Sequence, residues 1–240
     1  MPLNNCFITK GAFKLKISFN TWLKYALTIL DILDELNIDY ALFGAVAFSL
    51  LVKPLSTKDI DILVYPFPNE IKALSILNQI CAKVKCIKSS IEIDALEGNR
   101  IIIGIDTEEG PLSIELWEKI LRRDPMKILT EKIEITYKKK QIKILKPEAL
   151  LATKICDLTP EPLDKDKIEG LIRKMRKQIN LDEVINIILR LNHEVTAVIN
   201  LIEWYPRKLP QYAKYIIKKL LPYLSTHIKN EILKKLESTL

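Results

Sequence analysis

Two histidines, four cysteines and six glycines are all that 240 residues supply of the residue types on which many sites are built. His193 and His227 fall at expected helix starts or loops with no partner histidine or cysteine nearby, so neither is a candidate for catalysis. Cys6, Cys81, Cys86 and Cys156 lack metal-type spacing, and isolated cysteines of this kind behave as small buried hydrophobes. Reduced thiols are expected, a disulfide being compatible only with a hyperthermophilic source. Long apolar runs are missing as well. The longest, Tyr40–Val52, is too short to span a bilayer, and the N-terminal PLNNCFITKGAFKLK has no signal-peptide core, so a cytoplasmic protein is expected. No internal repeat and no serine or cysteine nucleophile arrangement stands out.

What remains is a composition suited to a sizeable core, 48% hydrophobic and 28% charged. The net charge of +7 is uneven. Residues 1–145 carry 20 basic and 18 acidic groups, against 17 and 12 in residues 146–240. A basic C-terminal half permits a polyanionic partner, although lysine-rich chains are also basic for solubility alone.

The most informative stretch is YALFGAVAFSLLVKPLSTKDIDILV, residues 40–64. It has the pattern of a strand, a tight turn, a short helix ending near Lys53 before Pro54, a loop and a second strand. In that second strand Ile60, Ile62 and Val64 share one face, and Asp59 and Asp61 share the other. Two neighbouring carboxylates repel, and an ion pair would need only one of them. A divalent cation is the economical explanation. Gly44, Ala45, Val46 and Ala47 are small enough for the sharp turn, and the helix they open presents free N–H groups suited to phosphate. Further on, SIELW repeats the design. Leu112, Ile114 and Leu116 take one face of a strand and leave Ser113, Glu115 and Trp117 on the other.

A glycine with a small partner, a spacer of thirteen residues between Ala45 and Asp59, and Asp-Ile-Asp inside an apolar strand resemble the signature of the nucleotidyltransferase superfamily, the polymerase-beta-like fold. STKDIDILV, including Thr57, is similar to the Thr-x-Asp-Ile-Asp strand of the stand-alone prokaryotic branch that contains abortive-infection toxins. Ala45 stands where that family usually has Gly or Ser, and Leu55 where Arg is frequent. The resemblance implies transfer of a nucleoside monophosphate from an NTP to a hydroxyl or phosphate, with two Mg²⁺ ions. It implies Asp59, Asp61 and Glu115 as catalytic metal ligands, Glu115 being preferred over Glu92, Asp94 and Asp106, which lie at strand ends or turns. It places Gly44, Ala45, Thr57 and Lys154 at the nucleotide, Lys154 being equally readable as a lysine snorkelling from an apolar stripe. A nucleotide-binding module with degenerate catalysis, acting as a partner or antitoxin-like protein, is the alternative.

The expected architecture is α+β: a mixed sheet flanked by helices over residues 1–145, then an all-helical region over 146–240. A short strand is expected at Phe13–Ile17, followed by a helix capped by Asn20 that buries Leu23, Ala26, Leu30, Leu33 and Leu36. A second helix, capped by Asn69, should bury Ile71, Leu74, Leu77 and Ile80. Further strands are expected at Ser90–Ile93 and Arg100–Ile105. Lys132–Tyr137 and Gln141–Leu145 read as a hairpin whose turn lysines, Lys138–Lys140, are solvated. Pro147 opens the helical part, and Asn180 with Glu183 forms a capping box for a helix burying Val184, Ile187, Ile188 and Leu191. Helices at Gln211–Leu221 and Thr226–Leu236 complete it. Arg173, Lys174, Arg176 and Lys177 are its densest basic group, either a solvated face or an RNA contact through Arg173, Arg176 and Lys177.

Overall fold

A computed structural model describes residues 17–54, 57–93, 98–137, 139–160 and 164–237. In chain order the elements are α1 (Phe19–Glu35), β1 (Asp39–Phe43), α2 (Gly44–Leu51), β2 (Asp59–Tyr65), α3 (Glu70–Lys83), β3 (Cys86–Glu92), β4 (Arg100–Thr107) and β5 (Gly110–Trp117). The short α4 (Met126–Leu129), β6 (Lys132–Tyr137) and β7 (Lys140–Leu145) follow. Then come α5 (Pro147–Ile155), α6 (Asp164–Met175), α7 (Leu181–Leu191), α8 (Glu194–Trp204), α9 (Gln211–Leu220) and α10 (Thr226–Glu237). The fold is α+β with a helical C-terminal region.

The seven strands form one mixed sheet in the order β3-β4-β5-β2-β1-β7-β6. β2 is its central strand, antiparallel to β1 and parallel to β5. Alternation does the sorting. Ile60, Ile62 and Val64 of β2 and Leu112, Ile114 and Leu116 of β5 are fully or almost fully buried. Helix α5, apolar nearly all round, packs against α2, α6, α7 and α8. The buried side chains from sheet and C-terminal helices form one continuous core.

Several local expectations need correction. Ser18, not Asn20, caps α1, its side chain accepting from the Thr21 amide. Ser18 and Thr21 also donate to Glu109 in the β4–β5 turn, which sets an acid at the positive end of α1. Leu36 lies past the helix end and is exposed. Asn69 does cap α3, but the buried stripe is Ala73, Ile76, Leu77 and Ile80, leaving Ile71 80% and Leu74 51% exposed. Both stripes have helical period, and the packing direction, which the sequence does not carry, chose between them. Cys81 and Cys86 form a disulfide, because the turn from α3 into β3 brings their Cα atoms to 5.3 Å, within bridging range. Cys156 is a buried free thiol, as expected. Asn180 accepts from the amides of Asp182 and Glu183, while its own amide donates to Glu148 on α5 at 2.9 Å, so the reciprocal half of the expected box comes from another helix. Lys140 is not a solvated turn residue: it pairs with Asp31 and donates to the Leu27 carbonyl at 3.1 Å. Most of the expected strand Phe13–Ile17, with Cys6 and Lys138, lies outside the described residues.

Candidate functional site

β1 ends in Phe43, and the chain turns at once into α2 through Gly44, whose φ is +61°. That backbone conformation is costly for any residue with a Cβ. Space adds a second requirement, since a Cβ on Gly44 would stand 2.2 Å from Oδ2 of Asp61. The start of α2 is therefore pressed against the Asp61 carboxyl. No side chain caps this helix, so its first amides are left for solvent or a ligand.

Strand register supplies the rest. Asp61 is opposite Phe43 on one side and Glu115 on the other, and Asp59 is opposite Ser113. Asp61 and Glu115 are thus immediate neighbours on adjacent parallel strands, with Asp59 two residues away on the same face. Burial pushes the Asp61 carboxyl up to about 7, reinforced by the charges of Glu115 and Asp59 and opposed by Lys154. The indole Nε1 of Trp117 is buried with no hydrogen-bond partner, yet lies near enough to Asp61 to favour its charged form. Glu115 is raised too, by burial and by Asp59, against the opposing pull of Arg100.

Arg100 is the residue that sequence reasoning missed. Its Nη1 donates to Glu115 Oε2 at 3.1 Å, its Nε donates to Glu92 at 3.1 Å, and Nη2 also pairs with Glu92. The guanidinium lies over the Trp117 ring at 4.5 Å, and that ring meets Phe43 edge-on at 6.4 Å. Arg100 pairs with Trp117 across β4 and β5 and is the diagonal neighbour of Glu115. Pairing β4 with β5 antiparallel through their turn would have exposed this contact.

The other expected site residues are dispersed. The Thr57 hydroxyl donates to the Asp59 carbonyl at 2.9 Å and accepts from its amide, so it braces the entry to β2. The Ala45 carbonyl accepts from Ser49 within α2. Lys154 acts on Asp61 only through its charge and bonds instead to Asp157 at 3.2 Å and to the fully buried Asp164 at 3.2 Å. Of the rival acids, Glu92 is taken by Arg100, Asp106 pairs with Lys85, and Asp94 lies outside the described residues. Leu55 does as well. Arg173, Arg176 and Lys177 are exposed at the end of α6, whereas Lys174 donates to the Val52 carbonyl that closes α2. Among the described residues no group of three or more Asp, Glu, His or Cys side chains converges closely enough to hold a metal ion. No helix among them is long and apolar enough to cross a membrane.

No family model and no curated protein matches the sequence. Solved structures do. The chain is similar in structure to nucleotidyltransferase-like proteins. An antigenic nucleotidyltransferase-like protein from Paracoccidioides brasiliensis matches with a TM-score of 0.43 and 15% identity, over 88% of this chain and 92% of its own. JHP933 from Helicobacter pylori matches with a TM-score of 0.48 and 16% identity, over 91% and 93%. The antibiotic-resistance factor ANT(2'')-Ia matches with a TM-score of 0.48 and 16% identity, over 75% and 95%. Likenesses this distant assign no residue a role.

Proposed function

We propose that the chain is a Mg²⁺-dependent nucleotidyltransferase that moves an NMP from an NTP to an acceptor hydroxyl or phosphate and releases pyrophosphate. The observation that carries this reading is the register of Asp61 against Glu115, beside the uncapped start of α2. Burial first, and then the charge of neighbouring acids, raises Asp61 and Glu115; such crowding costs stability, and a bound cation offsets that cost.

The donor set fits Mg²⁺ of the kind that arrives with a nucleotide. Such an ion takes one or two protein carboxylates and completes its octahedron with phosphate oxygens and water, so a ready-made cage of three acids is not required. Asp59 and Asp61 would hold it, and Glu115 would join at a second ion on the acceptor side. When bound, the ions would supply charge neutralisation at the phosphates and a lowered acceptor pKa. The chain's own part is positional. The α2 amides from Gly44 and Ala45 offer donors to phosphate oxygens, and the missing Cβ at residue 44 lets backbone and carboxylate serve the same ligand. Lys154 contributes positive charge at a distance.

The test is to incubate the protein with each labelled NTP, Mg²⁺ and either total RNA or lysate, and to follow the label. Transfer that disappears with EDTA is the expected result, and no transfer to any fraction would refute it. RNA is the acceptor favoured by the exposed Arg173, Arg176 and Lys177. A second reading, a nucleotide-binding module without catalysis, draws on the engagement of Glu115 by Arg100 and of Lys154 by Asp157 and Asp164. It predicts NTP binding without transfer.

A further inference from the structure

Arg100 is more than a neighbour of the acids. Its guanidinium bridges a half-buried carboxylate that lies beside Asp61 by register, Glu115, and a more exposed one farther from it, Glu92, with side-chain exposures of 17% and 47%. Stacking on Trp117 holds it in that position. Its fork can serve both acids at once, which a lysine could not do with the same geometry.

We infer that Arg100 is a positioning residue that acts as a built-in counter-ion: it holds Glu115 out of the metal site until a divalent cation arrives, and then keeps Glu92 as its only partner. The inference rests on the nucleotidyltransferase reading. Two observations and one physical argument support it. The structure brings Glu115 beside Asp61 by register, yet no three-acid group suited to a metal forms among the described residues. The Glu115 carboxylate is instead engaged by the Arg100 guanidinium. Glu92 offers Arg100 a second anchor on the neighbouring strand β3, reached by two of its nitrogens, so releasing Glu115 does not leave the guanidinium bare. An arginine fixed beside a divalent-cation site also opposes cation entry by like-charge repulsion, so its removal should tighten metal binding even though it weakens the fold.

That sign separates this role from a structural one. Mn²⁺ binding to the nucleotide-free protein, measured by electron paramagnetic resonance, is the readout, with circular dichroism and melting temperature as checks on folding. Arg100→Gln should melt below the wild type and bind Mn²⁺ about tenfold more tightly. Arg100→Lys, which keeps the charge but loses the fork, should fall between the two and serves if the glutamine variant does not fold. Glu92→Gln should weaken Mn²⁺ binding, because Arg100 then has Glu115 alone. Unchanged or weaker binding in both Arg100 variants would overturn the inference, as would tighter binding in Glu92→Gln. If Asp61→Asn leaves Mn²⁺ binding intact, the metal-site reading itself fails. If Asp61→Asn abolishes binding while Arg100 is without effect, only the role of Arg100 fails.

Discussion

Two acid clusters in this molecule have opposite electrostatics. Glu131 is only 7% exposed, and burial alone would raise its pKa; hydrogen bonds from Lys146 and from Arg190, the latter at 2.5 Å, outweigh burial and hold it below the usual carboxylate range. Asp61 is pushed the other way, to about 7, because burial is reinforced by Glu115 and Asp59 and countered only weakly. Glu131 ties the stretch before β6 to Lys146 and to α7, so its charge is answered from within the chain. Asp61 has no comparable partner. An acid whose burial is compensated serves the fold, and under the proposed function one whose burial is left uncompensated is the group that a bound cation would neutralise.

The largest effect that would sharpen this contrast is on stability. Glu131→Gln should cost about 3 kcal/mol, as breaking a buried ion pair does, and lower the melting temperature by roughly 6–12 °C. A loss below 1 °C in a thermal melt would put Glu131 in the same class as Asp61. Next, Asp61→Asn and Glu115→Gln should each reduce NMP transfer by more than about a hundredfold, roughly 2.7 kcal/mol of transition-state stabilisation. Asp94→Asn should leave it nearly unchanged. An active Asp61→Asn enzyme in the label-transfer assay would end the proposed mechanism.

A smaller effect, of reversed sign, concerns pH. The folded, metal-free protein holds the Asp61 proton more tightly than the unfolded chain does. The stability it confers is complete below about pH 4 and is lost as the pH rises through about 7. Asp61→Asn should therefore raise the metal-free melting temperature at pH 8 by several degrees and leave it almost unaltered at pH 4. Glu131 titrates below its ordinary value, so its contribution is present at neutral pH and lost on acidification, and Glu131→Gln should harm the protein less at pH 3 than at pH 7. Parallel pH profiles for the two variants would erase the distinction. The smallest effect concerns the surface. Replacing Arg173, Arg176 and Lys177 by Glu should abolish weak, salt-sensitive RNA binding in a filter assay without shifting the melt, and unchanged affinity would return the patch to a solvated face.

The α+β architecture and the placement of Asp59, Asp61 and Glu115 on one face were legible because alternation has period two, and each strand shows it without help from its neighbours. DIDILV and SIELW needed no partner to declare their faces. What was hidden depends on pairing between distant segments. Arg100 beside Glu115, Asp164 under Lys154, Glu148 beneath Asn180 and the Cys81–Cys86 bridge all arise where one element meets another. The error at Ile71 and Leu74 is of the same origin, since a helix with two apolar stripes does not state which one meets the sheet. Ser18 escaped because its partner Glu109 is 91 positions away.

The central place of β2 has a further consequence. Amide hydrogens exchange with solvent when the structure around them opens, and sheets open from their rims. Among the described residues β3 and β6 are the rims, and three strands separate each of them from β2 in the strand order, counting the rim itself. Either terminal hairpin, β3–β4 or β6–β7, can fray while β1, β2 and β5 stay paired. Asp59 and Asp61 therefore hang on the amides that should be the slowest in the protein to exchange, whereas Arg100, on the strand next to the rim, can loosen from Glu115 in an excursion that leaves the Asp61 backbone untouched.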